Sequence, residues 1–293
     1  MRTKENDMKF TLAVPYDWRD VRLSFPVAAY ASHDGVRLHV KVNPECIDYS
    51  DKDKMADAVV YCTEHGTRVR NLQQFNSMFL DIYEEFKIRE FDCELVLQDY
   101  WTTCKALLDE NDSLHELLEN EAEWYLVDLP KLRAGFEIRQ QTVERIVRQV
   151  YEWEYECMYS LSEYEKIRDV LGLYEYIAST LRRYPKVLFR ECDSKYVRGY
   201  TKHWAQATRT QTERAKITYV SDEIAEDGST YCSVQLESGK PLLQDVLVPE
   251  PFLKEFLDGY DLFQDNPWIE FSYLEKNSRG RYRSPMFFRF VLW

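Results

Sequence analysis

The chain has 293 residues and a formal net charge of -13, and 45% of its residues are hydrophobic and 15% aromatic. This length and composition support a sizeable core, in one large domain or in two to three small ones. The chain has only nine glycines, and no two of them form a G-x-G arrangement. This argues against a Walker loop or a dinucleotide-binding turn, in which the backbone must approach a phosphate closely.

The cysteines and the N-terminus bear on the cellular compartment. Seven cysteines, an odd number at scattered positions, are typical of reduced thiols rather than of a disulfide framework. No apolar run approaches the roughly 18 to 20 residues that a membrane helix needs. The first ten residues, MRTKENDMKF, lack the apolar core of a secretion signal. We therefore expect a cytoplasmic protein without membrane association.

Residues 1–70 predict a β-rich N-terminal region, with an antiparallel β-meander over residues 8–45. Lys9–Val14 and Val21–Val27 are short strand candidates, and a tight turn follows at His33-Asp34-Gly35. The clearest strand is Val36–Val42, because its apolar and polar residues alternate strictly. Met55–Cys62 is a candidate for a short helix.

Residues 71–185 predict a large helical region. An apolar stripe from Phe75 to Phe86 has helical spacing, and Asp92 is a candidate N-cap for a second helix that runs through Leu108. Ser113 and Ser162 each begin a capping-box pattern.

Phe136–Leu181 is the longest helical pattern, and its second capping box predicts a break near Tyr159–Ser162. Tyr151–Glu156 alternates as a strand would. Helix is preferred there because both flanks have helical spacing.

Residues 186–216 are a basic connector, and β patterns return in residues 217–293. Pro251 marks the start of a helix through Phe263, and the other predicted elements are strands. These strands are Ile217–Val220, Tyr231–Leu236, Leu242–Val248, and a closing hairpin of Trp268–Leu274 and Met286–Trp293. The resulting fold class is α+β, with β-rich ends and a helical middle.

The acidic residues are concentrated in the middle of the chain. Residues 71–181 hold 24 acidic and 10 basic residues, and no Lys or Arg occurs between Leu107 and Leu129. Such a run can steer a basic partner, and aromatic residues are enriched in binding hot spots. The alternative is a solvated helix face. The predicted protein-binding residues are Glu116, Glu119, Glu121, Glu123, Trp124, Tyr151, Trp153 and Tyr155.

The basic residues are concentrated in residues 182–216, which hold 10 basic and 3 acidic residues. Cations for phosphates together with flat rings for stacking are typical of single-strand nucleic-acid binding. The alternative is pairing with the acidic helices of the same chain or of another copy. The candidate nucleic-acid-binding residues are Arg182, Arg183, Lys186, Arg190, Lys195, Arg198, Lys202 and Trp204.

No pattern for metal binding or nucleophilic catalysis is complete. Cys62 and His65 lack a second close pair of zinc ligands, and His115-Glu116 is followed by Glu119 where a zinc-protease helix needs histidine. Asp193-x-Lys195 after an apolar run resembles one edge of a metal-dependent nuclease site, but no upstream acid lies on a predicted neighbouring strand. We therefore predict no cofactor, no metal and no catalytic residue.

These observations favour a non-enzymatic protein-binding regulator or inhibitor. Its acidic, aromatic surface would bind a basic protein, such as a nucleic-acid-handling complex, and a phage or mobile-element antagonist of host defence fits that description. The opposite charges of neighbouring segments also suggest a homo-oligomer. One alternative is a nucleic-acid-binding protein that uses residues 182–216, and another is a metal-dependent nuclease.

Overall fold

The computed structural model describes most of the chain. The residues described are 12–33, 35–48, 50–108, 114–160, 164–224, 230–236, 246–248, 268–274, 276, 282 and 285–291. The chain divides into two compact units, residues 1–207 and 208–293. The sequence suggested four regions instead. The strands of the N-terminal segment and of the basic connector pair with each other, so both lie in the first unit.

The first unit contains a five-stranded sheet built from segments that are distant in sequence. A parallel pair and antiparallel pairs both occur in it. Its core includes Val27, Ala29, Val187 and Phe189. The strand order is β1 (Ala13–Asp17), β11 (Gly199–Thr208), β10 (Lys186–Glu191), β2 (Val27–Ser32) and β9 (Glu165–Ile167).

The second sheet of this unit has six strands and packs against helices. The order is β5 (Arg68–Val69), β4 (Val59–Thr63), β3 (Val36–Val42), β6 (Glu90–Val96), β7 (Glu123–Asp128) and β8 (Met158–Ser160). Its buried residues form one large apolar core with residues of the helices.

The helices of the first unit are short apart from one. They are α1 (Lys52–Ala56), α2 (Asn76–Phe86), α3 (Tyr100–Leu108), α4 (His115–Glu121), α5 (Phe136–Glu152) and α6 (Val170–Thr180), with 3-10 turns at Pro44–Cys46 and Gln73–Phe75. The apolar stripes of α2 and α5 are buried as their spacing predicts, through Met78, Phe79 and Ile82 and through Val143, Ile146 and Val150. Among the helices that the structure describes, none is long and apolar enough to cross a membrane.

The second unit is a closed barrel with its own apolar core. Neighbouring strands are antiparallel except for the parallel pair of β14 and β16. The barrel order is β12 (Gln211–Ile224), β13 (Thr230–Leu236), β14 (Val246–Val248), β16 (Met286–Val291) and β15 (Trp268–Tyr273). The predicted closing hairpin is confirmed by the pairing of β15 with β16. The predicted helix from Pro251 to Phe263 lies outside the described residues.

The α+β class is compatible with this architecture, but the N-terminal meander is wrong. β2 pairs with β10 and β9, whereas β3 pairs with β4 and β6, so consecutive strands lie in different sheets. Residues 21–24 are not a strand, and Met55–Cys62 is mainly strand β4 rather than a helix.

The helical middle is also partly wrong. Asp92 caps no helix but lies fully buried inside β6, and β7 runs through the acidic segment. The pattern over Phe136–Leu181 breaks as expected, but the break is wider and includes β8 and β9, and Tyr151–Glu156 is helical only through Glu152. The capping boxes at Ser113 and Ser162 begin on residues outside the described part of the chain.

Candidate nucleic-acid interface

A network of buried ion pairs joins the two sheets of the first unit. Arg37 on β3 binds the fully buried carboxylate of Asp92 on β6, with its Nε donating to Oδ1 over 2.9 Å. The hydroxyl of Tyr196, in the loop between β10 and β11, donates to the other oxygen of Asp92 over 2.8 Å. The loop that carries Lys195 and Arg198 is therefore held against the second sheet.

A second set of ion pairs lies at the end of β7. Asp128 accepts hydrogen bonds from Arg139 on α5, over 2.6 Å from Nε and 3.1 Å from Nη2, and from Arg190 on β10. Arg139 also donates to the carbonyl of Ser194 over 2.9 Å. Burial lowers the pKa of Arg139 to about 10, so this guanidinium is still charged at neutral pH and needs its carboxylate partner.

Two of these guanidinium groups lie over the ring of Trp204 on β11. The Cζ atom of Arg190 is 3.9 Å from its ring centroid, and the Cζ atom of Arg37 is 4.8 Å from it. The tryptophan is completely buried. It therefore contributes a cation–π contact inside the fold and offers no surface on which a base could stack.

Ser32 and Gly35 are held by one carboxylate, that of Glu94. The Ser32 hydroxyl donates to both oxygens of Glu94, over 3.1 and 3.0 Å, and the backbone N–H of Gly35 donates to one of them over 2.6 Å. Lys186 lies 4.0 Å from the same carboxylate. His33, the residue after Ser32, stacks on Tyr125 with a centroid distance of 4.6 Å.

The structure separates the candidate nucleic-acid-binding residues into two groups. Arg190 and Trp204 are interior, and Lys186 is partly buried beside Glu94, so their assignment to an exposed interface is corrected. The exposed members are Arg182 and Arg183 after α6, Lys195 and Arg198 in the loop before β11, and Lys202 on β11. Tyr200, which is 58% exposed, stands two residues from Lys202 and therefore on the same face of the strand.

Glu90 fixes the position of Arg198. Its carboxylate accepts a hydrogen bond from Arg198 over 2.5 Å and lies 3.3 Å from His39 Nε2 and 3.5 Å from Lys131 Nζ. Burial alone would raise the pKa of Glu90, but the hydrogen bond with His39 and the charges of Arg198 and Lys131 lower it to about 2. The carboxylate is therefore ionised at neutral pH and holds three basic side chains together.

The predicted protein-binding residues also lie in different environments. Glu116, Glu119 and Glu121 are exposed on α4, and Tyr151 is exposed at the end of α5. The others pack or bond within the fold: Trp124 is in the apolar core, Trp153 packs against it, Glu123 accepts from Tyr125, and Tyr155 donates to Asp81. A recess of about 900 Å³, which we call the acidic recess, is lined by residues that include Glu119, Glu121, Glu123, Glu154 and Glu156.

The part of the chain that the structure describes contains no group of three or more His, Cys, Asp or Glu residues arranged to hold a metal ion. Among these described residues, neither Cys62 and His65 nor Asp193 therefore belongs to such a group. A nucleotide would need cations that its phosphates can reach, and the side chains of Arg37, Arg139 and Arg190 are at most 11% exposed and are bonded to Asp92 and Asp128 inside the fold. These interior arginines do not fit that role.

Solved structures of DNA ligases share this fold. A Lig E DNA ligase, studied for DNA binding with a minimal scaffold, has a TM-score of 0.66 at 14% identity, covering 96% of this chain and 98% of the ligase. A protein named Pmar-Lig_Pre has a TM-score of 0.69 at 14% identity, and the match covers 96% of this chain and 67% of that protein. The ATP-dependent DNA ligase of bacteriophage T7, in complex with ATP, has a TM-score of 0.55 at 15% identity, and the match covers 97% of this chain and 100% of the ligase. No protein-family model and no curated protein matches.

The prediction of a non-enzymatic regulator or inhibitor is wrong on this comparison. The fold that the chain shares over nearly its whole length is that of enzymes, the ATP-dependent DNA ligases. The function predicted for the acidic, aromatic surface is overturned with it. The acidic run was a poor guide to function because such runs are common on solvated surfaces. The similarity to the ligases lies in the backbone topology, which residue patterns at 14% identity do not reveal.

Proposed function

We propose that this protein acts on DNA at strand breaks, the kind of substrate that DNA ligases join. The observation that carries the proposal is the structural overlap with a DNA ligase over 96% of this chain and 98% of that one. This proposal takes up the nucleic-acid-binding alternative that the basic residues of segment 182–216 suggest, in place of the predicted protein inhibitor.

The exposed cations around β11 are the residues proposed to contact DNA. Arg198 and Lys202 would contact phosphate oxygens, which supply the sequence-independent part of DNA affinity. Lys195 and Tyr200 lie in the same exposed segment. Because Tyr196 and Glu90 fix the loop before β11, the side chain of Arg198 is ordered before DNA arrives, and less conformational entropy is lost when it binds.

The test is binding to a fluorescently labelled duplex that contains one nick with a 5′-phosphate. A double variant, Arg198→Gln with Lys202→Gln, should reduce the steepness of the salt dependence by about 2, since each lost phosphate contact removes about 0.9 from the slope. The matched control is Arg145→Gln, an exposed cation on α5, which should bind like the unchanged protein. If the double variant binds as tightly and with the same slope, the proposed DNA surface is refuted.

Strand joining is measured in the same samples. Adding ATP and Mg²⁺ and separating the strands on a denaturing gel shows whether the bound nick is sealed. Sealing that is lost with Arg198→Gln and Lys202→Gln would assign the joining reaction to this chain together with the binding.

A further inference from the structure

A second group of cations lines a recess that neither the basic stretch nor the ligase comparison assigns. The recess has a volume of about 610 Å³, and its charged residues are Lys41, Lys87, Arg89, Lys131, Glu45 and Glu90. Four cations and two carboxylates give it a local charge of about +2, whereas the whole chain carries -13. We call it the basic recess.

Three of the four cations are available to a ligand. Within the described residues, no carboxylate lies within 4.0 Å of Lys41, Lys87 or Arg89, whereas Lys131 lies 3.5 Å from Glu90. All four are exposed. The buried arginines of the same unit are instead bonded to carboxylates, so this recess differs from the interior network.

The end of α2 places two of these cations on one aromatic ring. Lys87 ends α2 with φ 57° and ψ 25°, the left-handed conformation in which glycine is favoured. A lysine there carries a backbone cost that glycine would not. Lys87 Nζ and Arg89 Cζ lie 5.5 and 5.8 Å from the ring centroid of Tyr83, so one ring orients both cations.

We propose that the basic recess binds a phosphate group of the nucleic-acid backbone, as a contact additional to those around β11. Glu90 connects the two places, because it lines the recess and also holds Arg198. This inference rests on the proposed function, and it extends the DNA footprint to residues 41, 87, 89 and 131. A free nucleoside triphosphate offers the same chemistry and is distinguished by the test.

The test uses Lys87→Gly, which separates the loss of the cation from damage to the fold. Glycine accepts the left-handed conformation, so the midpoint of thermal unfolding should stay the same or rise. Affinity for the nicked duplex should fall about fivefold at 0.15 M salt, and the salt slope should decrease by about 0.9, the value for one phosphate contact. Lys41→Gln should weaken binding by a similar factor.

Glu154→Gly is the matched control. Glu154 has φ 66° and lines the acidic recess, so its replacement gives the same backbone relief without removing a cation. Its affinity for DNA should equal that of the unchanged protein.

If Lys87→Gly keeps the original affinity and slope while Arg198→Gln with Lys202→Gln lowers both, the recess proposal is overturned and the proposed function stands. A protein that binds no DNA overturns both. Loss of ATP affinity in Lys87→Gly, with DNA affinity intact, would assign the recess to a free nucleotide and also overturn the proposal.

Discussion

Replacing Asp128 by asparagine should cost more stability than any single surface change. Asp128 is fully buried and is bonded to two guanidinium groups, and Arg190 already has two buried nitrogens without a partner in the described structure. Asparagine keeps the volume but removes the charge, so Arg139 and Arg190 become uncompensated buried cations. Removing one partner of a buried pair costs about 3–5 kcal/mol, a large part of a usual total of about 5–15 kcal/mol.

Urea unfolding followed by tryptophan fluorescence measures this loss. Five of the seven tryptophans, residues 18, 101, 124, 153 and 204, lie in the first unit, so the signal reports mainly on it. With a slope of about 3 kcal/mol per M, the midpoint should fall by about 1 M or more. The control is Asp57→Asn, which breaks an exposed pair with Arg68 and should cost less than about 1 kcal/mol.

A double-mutant cycle separates the lost pairing from a general disturbance. Arg190→Met should be less costly in the Asp128→Asn background than in the unchanged protein, because its carboxylate partner is already gone. Equal costs in both backgrounds, or a loss for Asp128→Asn no larger than that for Asp57→Asn, would refute the idea that this network joins the two sheets.

Two further predictions concern Glu90 and Gly35. The pKa of Glu90 is lowered from 4.5 to about 2, so its contribution to stability is present above pH 4.5 and is lost as the pH falls towards 2. The stability difference between the unchanged protein and Glu90→Gln, at most about 3 kcal/mol, should therefore shrink over that interval in pH-dependent urea unfolding; a constant difference would contradict this. Gly35→Ala would bring a Cβ to 2.6 Å from Val96 Cγ2 and against the Leu95 backbone, which should cost about 1–3 kcal/mol in the same assay. Gly135→Ala is the control that we expect to be tolerated, because its added Cβ would lie 3.4 Å from the nearest atom. An equal loss of stability in both variants would contradict the predicted clash at Gly35.

The sequence predicts elements whose pattern is local and misses those whose partners are distant. Strand β3 and the apolar faces of α2 and α5 follow from spacing alone. Asp92 is predicted as a helix cap because it precedes apolar residues at helical spacing. Inside a buried strand it needs partners instead, and these, Arg37 and Tyr196, are 55 and 104 residues away. No local pattern encodes that separation.

One signal in the sequence could have identified β6. Glu90, Asp92 and Glu94 alternate with Phe91, Cys93 and Leu95, which is the two-residue period of a strand. In the sheet these acids lie opposite Lys41, His39 and Arg37 of β3, so alternating acids on one strand face alternating bases on the next. Complementary charges at the same period in two segments predict their pairing, whereas Arg190 and Trp204, considered alone, resemble exposed nucleic-acid contacts.

The acidic surface must also be reconciled with DNA binding, and the two recesses allow this to be tested. Glu90 lines the basic recess and Val96 the acidic recess, at opposite ends of β6. Six steps of about 3.3 Å separate them by about 20 Å. The screening length is about 8 Å at 0.15 M salt but about 30 Å at 0.01 M.

Glu119→Gln with Glu121→Gln should therefore leave DNA affinity within about twofold at 0.15 M salt and raise it clearly at 0.01 M. An equal increase at both concentrations would mean that these glutamates lie next to the bound DNA, which the proposed contacts at Arg198, Lys202 and the basic recess do not allow.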